Sequence, residues 1–123
     1  GTPNRLGSVG LAASLAYRNA LPEPETERRI LALGGELIGV LRSLGAHVWT
    51  PDRDEERAGI VTFTLRRSPR EDLALRQFLE SRRIYVSARY CSGVGGVRAA
   101  IHVYNTRDDL EALLDAIGAF RRR

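Results

Sequence analysis

The fold class of this chain is decided by residues 60–71, which read Ile60-Val61-Thr62-Phe63-Thr64-Leu65-Arg66-Arg67-Ser68-Pro69-Arg70-Glu71. The first half alternates between apolar side chains and threonine, which is the period-two pattern of a strand with one buried face. The second half predicts the start of a helix. A serine cap, a proline at the first helical position and a glutamate three residues after the serine together form a capping box.

Two helices and a short strand are predicted upstream of this stretch. Residues 7–20 are rich in Ala and Gly, so we expect the first helix to pack closely against a large neighbour. The second helix is predicted over residues 25–44, where apolar residues recur at three- and four-residue steps, and Gly45 is placed to end it. Residues 46–50 are predicted to form a short strand.

Two more strands and a final helix are predicted downstream. The strands are expected over residues 84–89 and 97–104, joined by a glycine-rich connection over residues 91–96, and Thr106 is expected to cap the final helix. The glycines at 93–96 resemble a phosphate loop, but they open no helix. A flexible hairpin connection is therefore the better interpretation.

The predicted order is helix, helix, strand, strand, helix, strand, strand, helix, within one domain of 123 residues. This order predicts an α+β fold: a two-layer sandwich with a mixed or antiparallel sheet of about four strands and helices on one face. We expect the other face to be open and to meet a ligand or a missing domain. Its predicted members are Tyr85, Ser87, Arg89, Arg98, Ala100 and His102.

The composition is that of an ordinary globular protein, with 43% hydrophobic residues, 28% charged residues and a net charge of +4. Basic residues are spread along the chain apart from a terminal run at 121–123, so a solvated surface is a better interpretation than nucleic-acid binding. No run reaches the about 20 apolar residues that span a membrane, and a cytoplasmic location is expected. His47 and His102 lack companions at metal-ligand spacing, so no metal site is predicted.

One feature of the composition limits the chemistry. All 19 Lys+Arg residues are arginine, and the chain has no lysine. A Schiff base needs a primary amine on a side chain, which the delocalised and permanently protonated guanidinium cannot provide. Internal-aldimine chemistry on a side chain is therefore excluded for this polypeptide by itself.

Three parts of the chain, taken in order, resemble a known family. The first is Gly1-Thr2-Pro3-Asn4 with the small residues that follow it, and the second is Gly59-Ile60-Val61-Thr62-Phe63. The third comprises Ile84-Tyr85-Val86-Ser87, Val97-Arg98 and Tyr104-Asn105-Thr106-Arg107-Asp108-Asp109-Leu110. Their order and spacing resemble the C-terminal part of class V aminotransferases, a family that includes cysteine desulfurases, selenocysteine lyases and epimerase-like relatives.

The resemblance implies that residues 1–123 are a single C-terminal small domain. A missing large N-terminal domain would carry the lysine that binds pyridoxal phosphate, and the parent enzyme would be a homodimer. It would act on a small amino acid by transamination, C–S or C–Se cleavage, or epimerisation. This chain alone would then be no enzyme, and no cofactor is expected to be bound to it covalently.

The resemblance also implies roles for Arg98 and Thr2, and the strand pattern adds Arg89. Arg98 would hold the α-carboxylate of the substrate, since a planar guanidinium grips a carboxylate through two parallel hydrogen bonds. Arg89 shares its predicted face and would contact either the substrate or a surface acid. From the strand pattern alone, an ordinary ion pair is the alternative for Arg98 as well. Thr2 matches a threonine that contacts the cofactor phosphate of the partner subunit.

Cys91 is the single cysteine, and two interpretations of it are open. Cysteine desulfurases carry near this point the cysteine that accepts sulfur as a persulfide, and exposure and a basic neighbour such as Arg89 favour a nucleophilic thiolate. The lead-in Ala88-Arg89-Tyr90, however, lacks the glycine usual in desulfurases, and the loop to Arg98 is short. Both features are closer to members without a catalytic cysteine.

Two other function classes compete with this one. The first is a stand-alone α+β module that binds an amino acid or a similar carboxylate, or serves in regulation, without any cofactor. The second is a nucleic-acid binder, which would require an affinity that falls steeply with salt. The resemblance favours the enzyme domain over both, and the nucleic-acid binder ranks last.

Overall fold

A computed structural model describes residues 3–122 of the chain. The helices are α1 Arg5–Asn19, α2 Glu23–Ser43, α3 Pro69–Glu80 and α4 Arg107–Arg121, and the strands are β1 His47–Val48, β2 Ile60–Thr64, β3 Ser87–Cys91 and β4 Val94–Ala100. The strands form one sheet in the order β1-β2-β4-β3, and every neighbouring pair is antiparallel. The prediction of an α+β fold with an antiparallel sheet of four strands is confirmed.

A single hydrophobic core lies between one face of the sheet and helices α2, α3 and α4. Its fully buried side chains include Leu37, Phe63, Leu75, Val97 and Ile117. Burying a side chain of this size contributes about 1.5–3 kcal/mol, so this layer is the main source of stability. On the opposite sheet face the strand side chains of β3 and most of those of β4 and β2 are exposed or half-buried.

Each helix that covers the sheet begins or ends at a residue suited to that position. Gly45 follows α2 with a φ of +76°, and the N–H groups of Gly45 and Ala46 donate to the carbonyls of Arg42 and Leu41. This is the Schellman arrangement, and it confirms Gly45 as the residue that ends the helix. Ser68 accepts from the Glu71 N–H at the start of α3, as the capping pattern predicts.

The predicted bounds of the last two strands were wrong. The connection between β3 and β4 is a two-residue turn at Ser92-Gly93, where φ is +50° and +79°, and Cys91 pairs with Val94. A two-residue turn whose residues both have positive φ closes a hairpin directly, so no flexible loop over 91–96 exists. β3 therefore begins and ends later than predicted, and β4 begins and ends earlier. Tyr85 precedes β3 and His102 follows β4, so neither belongs to the strands of the open face.

Two glycines inside β4 are required by close backbone approach. A Cβ at Gly95 would lie 2.0 Å from the carbonyl oxygen of Arg89, and one at Gly96 would lie 2.1 Å from that of Phe63. These distances are far below van der Waals contact. The glycine run therefore serves the packing of three strands against one another.

The predicted strand over residues 46–50 is shorter in the structure. Only His47 and Val48 belong to the sheet ladder. Beyond them the backbone N–H of Thr62 is bound by the side-chain hydroxyl of Thr50, where a regular ladder would use a backbone carbonyl. The N–H of Thr62 donates to that hydroxyl oxygen at 2.8 Å, and the hydroxyl donates to the carbonyl of Ile60 at 3.3 Å.

Helix α1 stands apart from the core. None of its residues is buried, and Leu6, Val9, Leu11, Leu15 and Tyr17 are all exposed. These apolar side chains lie on several sides of the helix, a distribution typical of a helix that is covered by other structure. The expectation of a large neighbour stays a prediction. Among the described residues, no helix combines the length and the apolar character needed to cross a membrane.

Candidate functional site

The open face of the sheet brings the two predicted arginines together. The register pairs Arg98 with Ser87 of β3 and with Thr62 of β2, and it pairs Arg89 with Gly96. Residues opposite one another, and residues two apart on one strand, lie on the same face of a sheet. Arg89 and Arg98 are diagonal neighbours, with Cα atoms about 7–8 Å apart.

Neither arginine is neutralised within the described part of the chain. Arg98 is half-buried and Arg89 is exposed, and neither side chain has a hydrogen bond or an ion pair to another residue between 3 and 122. The four strands contain no Asp or Glu. The face therefore carries two positive charges without an internal counter-ion, which suits it to an anionic ligand.

Cys91 lies on the same face but at its edge. It is exposed, and it is the last residue of β3 before the turn. Since Ser87 is opposite Arg98, Cys91 is displaced from Arg98 by four residues along the strand, or about 13 Å. Arg89 lies between them. The structure thus groups Cys91 with Arg89 and leaves it apart from Arg98.

The remaining predicted residues lie elsewhere. Thr2 is outside the described residues, so its phosphate role stays a prediction. The ring of His47 contacts that of Trp49, and the ring of His102 stacks on that of Tyr104 at 4.9 Å in the loop after β4. Over residues 3–122, no three His, Cys, Asp or Glu side chains are arranged to hold a metal ion.

Sequence reasoning missed a buried polar group beneath the hairpin. The side chain of Asp72, on α3, is almost fully buried and accepts hydrogen bonds from the hydroxyls of Thr64, at 3.0 Å, and Tyr90. Burial, together with the hydrogen bond and charge of Asp72, raises the pKa of Tyr90 well above its usual value. Asp72 lies three residues before Leu75 and seven before Leu79, on the apolar face of α3. This spacing was the sequence signal that the Asp72 side chain is buried.

Trp49 is the second residue that sequence reasoning missed. Just beyond the end of β1, its backbone N–H donates to the Thr62 carbonyl at 2.9 Å, and its indole N–H donates to the Gly95 carbonyl at 2.8 Å. The side chain therefore starts beside β2 and ends on β4, on the open face. Its position directly after the buried Val48 was the signal, because alternation places it on the opposite face.

Comparison with known proteins gives the family. The sequence model of the class-V aminotransferase family (Aminotran_5) matches residues 1–113, and the chain belongs to this family. A probable cysteine desulfurase of Pyrococcus abyssi is 29% identical over 126 residues, which is 95% of this chain and 31% of the relative. A probable cysteine desulfurase of Halalkalibacterium halodurans is 28% identical over 123 residues, covering 92% of this chain and 29% of the relative.

The structural comparison agrees with the sequence comparison. The apo structure of a cysteine desulfurase from Thermococcus onnurineus NA1 matches with a TM-score of 0.87 and 25% identity, covering 99% of this chain and 32% of that one. The resemblance to class V aminotransferases and cysteine desulfurases is thereby confirmed. The chain spans about a third of the length of these relatives.

Family membership implies pyridoxal phosphate in the full-length members, and the residues of this chain do not make a site for it. No lysine is present to hold the cofactor, and Thr2, the residue predicted to contact its phosphate, lies outside the described part. The charged donors on the open face are the guanidinium groups of Arg89 and Arg98, which can hold a carboxylate but cannot form a Schiff base.

Proposed function

We propose that this chain binds the substrate carboxylate in a pyridoxal-phosphate-dependent enzyme that acts on an amino acid, and that it has no activity alone. One observation supports this best: Arg98 is half-buried, unpaired within residues 3–122, and on a sheet face whose strands hold no acidic residue. A partly desolvated charge without a partner is unfavourable, and a ligand carboxylate held by two parallel hydrogen bonds would relieve it.

We place the other parts of the enzyme in a large domain and a partner subunit, both outside this chain. Residues 1–123 would be its C-terminal small domain, and a large domain would cover α1 and supply the lysine. The enzyme would be a cytoplasmic homodimer in which Thr2 contacts the cofactor phosphate of the partner subunit. When bound, the cofactor acts as an electron sink for the substrate Cα. The small domain would orient the substrate through its carboxylate and exclude water on closure.

The proposal covers the substrate class and leaves the reaction open. Transamination, C–S or C–Se cleavage and epimerisation all begin with an amino acid held by its carboxylate, so the contact with Arg98 does not distinguish them. Arg89, exposed and on the same face, would provide a second cationic contact. The exposed position of Cys91 at the hairpin tip is compatible with sulfur transfer, and its distance from Arg98 means that it would act beyond the carboxylate contact.

The experiment is a comparison of arginine variants in the full-length enzyme that contains this chain. Arg98→Ala should raise KM for the amino acid roughly 10- to 100-fold, because a hydrogen bond to a charged group contributes about 1.5–3 kcal/mol. Arg98→Lys should recover only part of the loss, since lysine lacks the planar fork. Arg28→Ala, which removes an exposed charge from α2, is the matched control and should leave KM unchanged.

Two results would contradict the proposal. An unchanged KM in Arg98→Ala would remove the carboxylate role. Weak binding of amino acids to Arg98 in the 123-residue chain alone is expected, but binding as tight as that of the full-length enzyme, in the absence of cofactor and of any other domain, would favour the stand-alone binding module instead. Calorimetric titration of the chain with L-alanine makes that second measurement.

A further inference from the structure

A transverse row of residues crosses all four strands on the open face. Trp49, Thr62, Arg98 and Ser87 lie opposite one another in turn, from the end of β1 through β2 and β4 to β3. Strands are about 4.8 Å apart, so the backbones of Trp49 and Arg98 are separated by about 10 Å, with the small side chain of Thr62 between them. The indole crosses β2 and reaches β4 at the Gly95 carbonyl, three residues or about 10 Å before Arg98 along the strand.

The indole of Trp49 is held in place on this face. Besides the hydrogen bond to Gly95, its ring meets the ring of His47 edge-on, with centroids 4.3 Å apart. His47 is held in turn by Arg67, whose guanidinium lies 3.0 Å from Nδ1 of the imidazole. Trp49 nevertheless stays 40% exposed. A large ring that is fixed and still accessible loses little entropy when a ligand packs against it.

The same face carries other exposed apolar side chains. Ile60 is a diagonal neighbour of Arg98 and is 41% exposed, whereas Val94, 51% exposed, lies four residues from Arg98 at the hairpin end of β4. The guanidinium therefore lies on a face that also offers exposed apolar surface. A ligand that fits this arrangement has a carboxylate attached to an apolar body.

We propose that Trp49 is a specificity-determining residue of the site at Arg98, and that it selects amino acids with an apolar or aromatic side chain. This inference rests on the proposed function, since it requires the ligand carboxylate to lie on Arg98. The indole packs against the side chain of the bound amino acid, and glycine or another small amino acid gains nothing from it.

The chain contains a single tryptophan, so its ¹⁵N-labelled form gives one indole N–H resonance that reports on Trp49 alone. The 123-residue chain is titrated with L-phenylalanine, with glycine and with phenethylamine, which has the ring but no carboxylate. The indole and the Arg98 Nε–H should shift together with L-phenylalanine. Half-saturation should come at a roughly tenfold lower concentration than with glycine, through burial of the phenyl group. Phenethylamine should shift neither resonance.

Variants separate the two contacts. Trp49→Leu and the more conservative Trp49→Phe should keep the Arg98 shift, and Trp49→Leu should lose the preference for L-phenylalanine over glycine. Arg98→Ala removes the Arg98 resonance itself and should abolish the indole shift. Tyr85→Ala removes an exposed aromatic ring outside the row, so it is the matched control and should behave as the wild type.

The outcomes distinguish this inference from the function on which it rests. Equal half-saturation with glycine and L-phenylalanine, or an Arg98 shift without an indole shift, overturns the role of Trp49 and leaves the carboxylate site standing. An Arg98 resonance that no amino acid moves overturns the carboxylate site itself. An indole shift that persists in Arg98→Ala shows that Trp49 binds apolar groups independently, and this also overturns the inference.

Discussion

Replacement of Tyr90 by phenylalanine tests the polar link beneath the hairpin that carries Arg89 and Cys91. The substitution keeps the ring and removes only the hydroxyl that donates to Asp72. Asp72 is 1% exposed, so water cannot readily take the place of the lost donor. Thr64 would remain as its one side-chain donor, at 3.0 Å.

The expected loss is about 1.5–3 kcal/mol, the usual contribution of a hydrogen bond to a charged group. For a chain of 123 residues this corresponds to a fall in Tm of about 6–12 °C, at about 4 °C for each kcal/mol. Differential scanning calorimetry at pH 7 measures it. Tyr85→Phe is the matched control, because Tyr85 is 78% exposed, and its Tm should stay that of the wild type.

The same variant has a pH signature. The pKa of Tyr90 is higher in the folded chain than its value of 10.0 in the unfolded chain, so the neutral phenol is favoured by folding. The stability this contributes is complete below pH 10 and is lost as the pH rises above 10. Wild-type protein should therefore lose stability in alkali more steeply than Tyr90→Phe. Equal Tm values at pH 7, or parallel alkaline curves, would refute the reasoning.

Three further predictions concern stability. Asp109→Asn should flatten the loss of stability in acid, measured by denaturant unfolding from neutral pH down to about pH 2. The Thr106 N–H and the Asn105 amide lower the pKa of Asp109, so the capping box is lost as the pH falls below 3.8. Gly96→Ala should lower Tm strongly or prevent folding, whereas Gly39→Ala should raise stability by about 0.5–1 kcal/mol, because nothing lies within 4 Å of the added Cβ. Leu37→Ala, at a fully buried core position, should cost about 2–5 kcal/mol in urea unfolding.

Each of these has a result that would count against it. Identical acid curves for Asp109→Asn and the wild type would mean that the capping box contributes nothing to stability. A Gly96→Ala protein as stable as Gly39→Ala would show that β4 can move away from Phe63. A loss below about 1 kcal/mol for Leu37→Ala would place that side chain outside the tightly packed core.

The helices were predictable because their signals are local. The apolar spacing of α2, the serine cap of α3 and the Thr106-Asp109 pair of α4 depend on residues three or four apart, and the structure contains each of them. The hairpin was harder to predict. Its turn depends on positive φ at Ser92, which a serine adopts only when the pairing of β3 with β4 imposes it.

Part of the candidate site was predictable in the same way. Alternation along β4 places Arg98 on the open face. Alternation along β3, where Arg89 follows Ser87 by two residues, places Arg89 on the same face. Trp49 and Asp72 were missed because their partners, Gly95 and Tyr90, are 46 and 18 residues away in the sequence. Short-range periodicity contains no information about such distant contacts.

By itself, the sequence determined the α+β class, the helix ends and the absence of any side-chain amine for a Schiff base, because these follow from residue identity and local spacing. The tertiary structure alone decided the strand order β1-β2-β4-β3, the absence of a partner for Arg98 within residues 3–122 and the placement of Trp49 on the same sheet face. These depend on which strands pair and in which register. Pairing is set by the burial of the whole apolar face at once, a property that no single segment of the chain possesses.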